Sequence, residues 1–222
     1  SITVPKGKSC RYVKSKGILY TKNKKKLIVA ERNIKRATVS SKCASIENFA
    51  FNFKSLEKVS FENNSELNRI SMFAFSGSKI RKINIPDSVQ KIGCGTFYNC
   101  RKLESINISK NLQLFEDFTF SYTKLAEIKI PKSVKRIQLG CFCNCNNLIS
   151  VLFDEDSQLT EINDYAFAGT NIVSILIPKS VMSIGDSCFF NCNKMKSIQF
   201  EENSVLKCLG NDCFNGTKIE EI

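Results

Sequence analysis

Eleven cysteines and no histidine set the chemistry open to this 222-residue chain. Three of the cysteines fall within five residues, in the stretch GCFCNCNNL at 140–148. Such a cluster could serve a metal, a disulfide or a reactive thiol. The lack of histidine excludes Cys-His and Ser-His-Asp nucleophile systems and imidazole metal sites. Zinc takes four ligands and usually begins with a C-x-x-C pair, whereas the spacings here are C-x-C, C-x3-C, C-x4-C and C-x5-C. Gly93-Cys94-Gly95 has neither the length nor the lysine of a phosphate-binding loop. The acidic stretches FENNSEL, FDEDSQL and FEENSVL carry Glu62, Asp154, Glu155, Asp156, Glu201 and Glu202, without the spacing or terminal glutamate of a calcium loop. They read as solvated turns. No enzyme activity, cofactor or metal is expected.

The cysteines make sense once the elements that carry them are found. An aliphatic residue or Phe followed five positions later by Phe recurs at Ile46/Phe51, Ile70/Phe75, Ile92/Phe97, Phe115/Phe120, Ile137/Phe142, Ile162/Phe167, Ile184/Phe189 and Leu209/Phe214. The steps are 22 to 25 residues, the signature of a solenoid. After each Phe comes L-x-x-I-x-I, as in Leu103-x-x-Ile106-x-Ile108, whose alternation is that of a strand with one buried face. Stacked on its neighbours, that strand predicts a parallel sheet along one side of the coil.

Two repeat types alternate. One reads F-x-N-C, at Asn99-Cys100, Asn144-Cys145 and Asn191-Cys192; the other reads F-x-x-[S/T] and then I-P-x-S-V, at Ile85-Pro86, Ile130-Pro131 and Ile177-Pro178. Proline lacks an N–H and suits a strand end. Cys141, Cys188 and Cys213 take the small interior position before the stacked Phe, held elsewhere by Ala or Thr. Cys100, Cys145 and Cys192 recur every second coil, about 10 Å apart and too far for a disulfide. Cys188 and Cys213 alone share a position in adjacent coils, but their side chains point the same way, so free thiols are expected throughout. Cys143 and Cys208 fall on variable positions and are the candidates for exposed thiols.

The combined pattern, carried by KINIPDSVQKIGCGTFYNC (82–100) and SILIPKSVMSIGDSCFFNC (174–192), closely resembles the BspA-type class of leucine-rich repeat over residues 34–222. The resemblance implies a leucine-rich-repeat solenoid: a curved right-handed coil of about eight repeats with a parallel β-sheet on the concave face. It also implies surface antigens of bacteria and mucosal protozoa that adhere to host matrix or cells. GILYTKNKKKLIVAERN resembles segments found between repeats in this family, and by its residues predicts two strands around a polar turn, an N-terminal β-hairpin cap. The expected division is a basic capping segment at 1–45 and repeats at 46–222. Two departures, Phe53-Lys54 in place of Asn-Cys and Phe115 in place of Ile, predict less regular coils at those points.

Charge and exposed apolar residues suggest the partners. Residues 1–60 hold 15 Lys and Arg against 3 Asp and Glu, and the other 162 residues hold 18 of each. Lys22, Lys24, Lys25 and Lys26 cluster at the proposed hairpin tip and are candidates for an anionic ligand such as a sulfated glycan. No aromatic platform or DNA-reading helix accompanies them, so nucleic acid is not expected. On the strand face, small polar residues dominate the outward positions and the rest are charged or polar except for Leu152 and Leu176, with Ile149 and Val173 just before their strands. These four are candidates for a protein or extracellular-matrix partner. The leading expectation is a non-catalytic adhesion module at the cell surface or secreted; the alternatives are an intracellular scaffold and a glycan-binding module. Sequons at Asn63, Asn107 and Asn215 are compatible with secretion, and no apolar run is long enough for a transmembrane segment. Ile2-Thr3-Val4-Pro5 resembles a strand end, and Ile219-x-x-Ile222 a strand cut short, so the chain is expected to be part of a longer protein, open to end-to-end association through that edge.

Overall fold

The computed structural model describes Thr3 and residues 10–220; the rest of Ile2–Pro5 and Ile222 lie outside that range. Strands β1 (Tyr12–Ser15), β2 (Ile18–Thr21) and β3 (Lys26–Ala30) form an antiparallel meander. Beyond it each coil contributes one short and one longer strand. The short strands are β5 (Ser45–Ile46), β7 (Arg69–Ile70), β9 (Lys91–Ile92), β11 (Leu114–Phe115), β13 (Arg136–Ile137), β15 (Glu161–Ile162), β17 (Ser183–Ile184) and β19 (Cys208–Leu209). The longer ones are β4 (Arg36–Val39), β6 (Lys58–Phe61), β8 (Lys82–Asn84), β10 (Ser105–Asn107), β12 (Glu127–Ile130), β14 (Ser150–Phe153), β16 (Ser174–Ile177) and β18 (Ser197–Phe200). No helix occurs among the described residues. The cap closes the short-strand ladder, because Lys26 and Leu27 of β3 pair in parallel with Ser45 and Ile46.

Phenylalanine sets the pitch. Phe51, Phe75, Phe97, Phe120, Phe142, Phe167, Phe189 and Phe214 lie nearly parallel in one column, with ring centroids 5.2 to 5.7 Å apart. Each ring removes roughly 150–250 Å² from water. The backbone follows the same step: the N–H of Phe51 donates to Ala74 O, that of Phe75 to Thr96 O, and so on to Phe189 and Cys213 O. A left-handed backbone residue stands on either side of the ring in nearly every coil. The one two places before it is Phe49, Phe73, Gly95, Phe118, Gly140, Tyr165, Ser187 or Asp212; the one two places after is Gly77, Asn99, Tyr122, Asn144, Gly169, Asn191 or Gly216. These two reversals let the column residue point inward while the chain turns a corner on each side.

The alternation of repeat types has a structural cause. Sγ of Cys100, Cys145 and Cys192 donates to the carbonyls of Phe75, Phe120 and Phe167, at 3.0 to 3.1 Å, and touches the hydroxyls of Ser78, Thr123 and Thr170 in the same preceding coil. Each Asn-Cys coil is thereby fastened to the Ser/Thr coil before it. Aromatic bulk follows the same rule. The Phe73 ring lies over Gly95 and the Phe118 ring over Gly140, where an added Cβ would clash with Phe118 Cε1 at 2.5 Å.

The longer strands stack in parallel along one side of the coil, as expected, without forming one continuous ladder. They pair as four doublets, β4–β6, β8–β10, β12–β14 and β16–β18. Within a doublet the residue after the second strand donates back to the first, as Glu62 does to Val39 O, Asp154 to Ile130 O and Glu201 to Ile177 O. Past the first strand of the last three doublets stand Pro86, Pro131 and Pro178, with no N–H to offer the doublet before. A seam opens at each. The short-strand ladder also breaks once, between β9 and β11. There Phe115 packs edge-on against Phe120 and Phe142, in keeping with the irregularity expected at this departure.

Two outcomes follow. Gly140→Ala meets both a left-handed backbone and the Phe118 ring, and should cost about 2–3 kcal/mol in denaturant unfolding. In a Phe118→Ala background the cost should drop to the backbone part, about 1 kcal/mol. The second concerns acid. Lys129 Nζ lies 2.7 Å from Asp154 Oδ1, and this hydrogen bond, with the Lys132 amide, holds the Asp154 carboxyl below its ordinary 3.8. A depressed carboxylate stabilises the fold above its unfolded pKa and loses that contribution as pH falls through the folded value. Thermal melts of Asp154→Asn and the parent should therefore differ at pH 7 and converge as the pH falls below the depressed pKa of the folded carboxyl.

Candidate functional site

Within each doublet the register fixes which side chains stand side by side on the outward face. Arg36 is beside Lys58 and Thr38 beside Ser60; Lys82 is beside Ser105 and Asn84 beside Asn107. Glu127 is beside Ser150 and Lys129 beside Leu152; Ser174 is beside Ser197 and Leu176 beside Gln199. The face thus runs from a cationic and amide end, through one ion pair, to an apolar end. Thr38 and Ser60 hydroxyls meet at 3.1 Å, and Asn107 Nδ2 donates to Asn84 Oδ1 at 3.0 Å, so the polar rows are ordered along the coil axis.

Leu152 and Leu176 are 45% and 48% exposed, and Ile149 and Val173 are 56% and 45% exposed. Leu152 lies on β14 and Leu176 on β16, so the two flank a seam that carries no ladder bonds. Just before it, the backbone still closes through Asn171 N to Leu148 O. The sequence placed these two leucines on adjacent coils but gave no sign that a seam runs between them.

The hairpin lysines fare differently. Lys22 and Lys24 lie in the β2–β3 turn, while Lys26 is already the first residue of β3. Lys25 Nζ is ion-paired with Glu66, and Glu62, whose carboxyl is lowered by the Ser41 amide, feels the charges of Lys16 and Lys24. The acidic turn of a neighbouring coil therefore offsets part of the charge of the basic tip.

The thiols are separated by environment. Cys141 and Cys145 are buried, and burial pushes Cys43, Cys100 and Cys145 up to about 11. All eleven cysteines are free. Cys208 is exposed as expected. Cys143 is not: it is half-buried, accepts a hydrogen bond from Asn144 Nδ2 at 3.2 Å, and its thiol is raised by desolvation. Among the described residues no group of three or more His, Cys, Asp or Glu is placed to hold a metal ion, and no helix is long and apolar enough to cross a membrane.

A second exposed row escaped the sequence reading. Phe49 stacks on Phe73 at 5.5 Å, Phe73 meets Tyr98 edge-on, and Tyr98 meets Tyr122. Phe49 and Phe73 stand two places before a column Phe, whereas Tyr98 and Tyr122 follow one, so no single spacing marks the row in the sequence.

Solved structures with the same coil include a leucine-rich repeat protein from Bacteroides ovatus, with 26% identity and a TM-score of 0.68 over 90% of this chain and 58% of that one. A leucine-rich repeat protein from Eubacterium ventriosum has 21% identity and a TM-score of 0.71 over 96% and 51%. A leucine rich cell surface protein from Faecalibacterium prausnitzii has 18% identity and a TM-score of 0.51 over 87% and 77%. The chain spans a little over half the length of the first two. No curated protein sequence matches it. The family described as BspA type leucine rich repeat region matches residues 29–149 and 116–222 in six copies. With the Phe column, the alternating turns and the paired strands behind that match, the chain belongs to the BspA-type leucine-rich repeat family.

Proposed function

We propose that this chain is an adhesion module that acts without catalysis, binding a protein of a host or matrix surface through its outward strand face. The observation that carries the reading is the apolar patch of Leu152, Leu176, Ile149 and Val173, contiguous and exposed on a face otherwise built from polar outward residues. A partner's aliphatic or aromatic side chain lodged between the two leucines would be desolvated on both sides, which is the setting of an interface hot spot. Rigid repeats present such a patch with little ordering cost on binding. A surface location is supported by the likeness of fold to the Faecalibacterium prausnitzii cell surface protein.

The free cysteines favour a second reading, a protein-binding scaffold of the same fold in a reducing compartment. Labelling intact cells with a membrane-impermeant amine reagent separates the two: modification of the chain supports the surface, and protection until lysis supports the scaffold.

The patch itself is tested by surface plasmon resonance on immobilised extracellular-matrix protein. Leu152→Ser with Leu176→Ser should weaken binding at least tenfold while the circular dichroism spectrum stays that of the parent. Unchanged affinity in a folded double variant would remove the patch from the interface.

A further inference from the structure

We infer that the cleft between β6 and β8 binds an acidic saccharide, gripped by Lys58 and Lys82 on its two sides with Arg36 extending the cationic row. The site lies on the same face as the leucine patch but at its other end, and stands or falls independently of it.

The cleft exists because the coils part here. Pro86 offers no N–H toward β6, and a hollow of about 490 Å³ opens between the strands, the size of a small-ligand site. A buried hydroxyl records the same parting. Ser133 Oγ bridges the carbonyls of Lys110 and Leu112, and Ser180 Oγ those of Ser157 and Leu159. By that spacing Ser88 should reach Ser65 and Leu67, yet its Oγ is buried with no partner. Ser65 instead lines the hollow.

Charge then selects an anion. Arg36 and Lys58 are register neighbours, Lys82 follows on the next strand, and all three are exposed. None has an ion pair among the described residues, whereas Lys129 is matched by Asp154 and Arg81 by Glu104. Like charges side by side across strands weaken a sheet, so an anion laid along the row relieves a repulsion the protein leaves unmet. With about 4.8 Å between the paired β4 and β6 and a wider gap between β6 and β8, the row spans more than about 10 Å.

The neutral lining points to a sugar rather than an acidic peptide. Ser60 and Asn84, continued by Thr38 and Asn107, offer groups that both donate and accept, as sugar hydroxyls do. Glu62 also lines the hollow, its carboxylate already accepting from the Ser41 amide at 2.8 Å and held ionised by that bond. It accepts from a hydroxyl but repels a carboxylate, which disfavours a run of closely spaced acids.

The test is isothermal titration of the full chain with a heparin-derived hexasaccharide, with hexaglutamate as the acidic-peptide control. The hexasaccharide should bind with a salt-sensitive affinity. Lys58→Gln with Lys82→Gln should weaken it at least tenfold, and Lys22→Gln with Lys24→Gln should leave it within twofold. On the parent chain, bound hexasaccharide should protect the Lys58 and Lys82 amines from acetylation, read by mass spectrometry, which needs no variant to fold. No binding by the hexasaccharide, equal binding by hexaglutamate, or loss of affinity in the hairpin variant alone would each overturn the assignment.

Discussion

One phenylalanine ring must lie flat on the next in every coil. Burying such a ring is worth a few kcal/mol, and truncating it to alanine in a packed core typically costs about 3–5 kcal/mol. The column therefore fixes the rise per coil and the phase of every other position. The residue before it must be small, which is why Ala50, Ala74, Thr96, Thr119, Cys141, Ala166, Cys188 and Cys213 share that place. The residues two places to either side must reverse the chain, which is why glycine, asparagine and a few aromatics occupy the left-handed region. An aromatic there carries about 1–2 kcal/mol of backbone strain, offset by the ring's contact with the coil beyond.

Around this column the working unit is two coils. The thiol of the second reaches the hydroxyl and carbonyl of the first, the ring of the first covers the glycine of the second, and their strands pair. Proline then ends the pairing before the next unit begins. The proposed binding face is a consequence of this arithmetic: doublets give ordered rows of outward side chains, and seams between doublets give places where a partner's side chain or a sugar ring could enter. The leucine patch flanks one seam and the basic cleft occupies another.

Much of this was legible from residue types alone. The Phe period, the inward small residues, the strand alternation and the outward rows follow from side-chain volume and a period of two, which depend only on local spacing. Of the three cysteines of GCFCNCNNL, Cys141 lies in the interior, as its place before the column Phe implies. What stayed hidden depends on the neighbouring coil. The splitting of the face into doublets is a missing N–H meeting a carbonyl some 24 residues away, and the pairing of Lys25 with Glu66 crosses 41 residues. Proline at a strand end was noted, yet only the stacked coils reveal which bond it removes.

Both kinds of sheet are interrupted at one and the same junction. Between the coils of Phe97 and Phe120 the short strands β9 and β11 are unbonded, and so are β10 and β12. What bridges them is the ring pair at 5.6 Å and a few turn bonds, such as Phe97 N to Thr119 O and Lys124 N to Leu103 O. A pulling force along the coil axis is carried by at least one ladder at every other junction between described coils, but here it rests on corner bonds and a pair of stacked rings. Under tension the solenoid has a built-in yielding point at its middle, which leaves the basic cleft on one half and the leucine seam on the other, each intact.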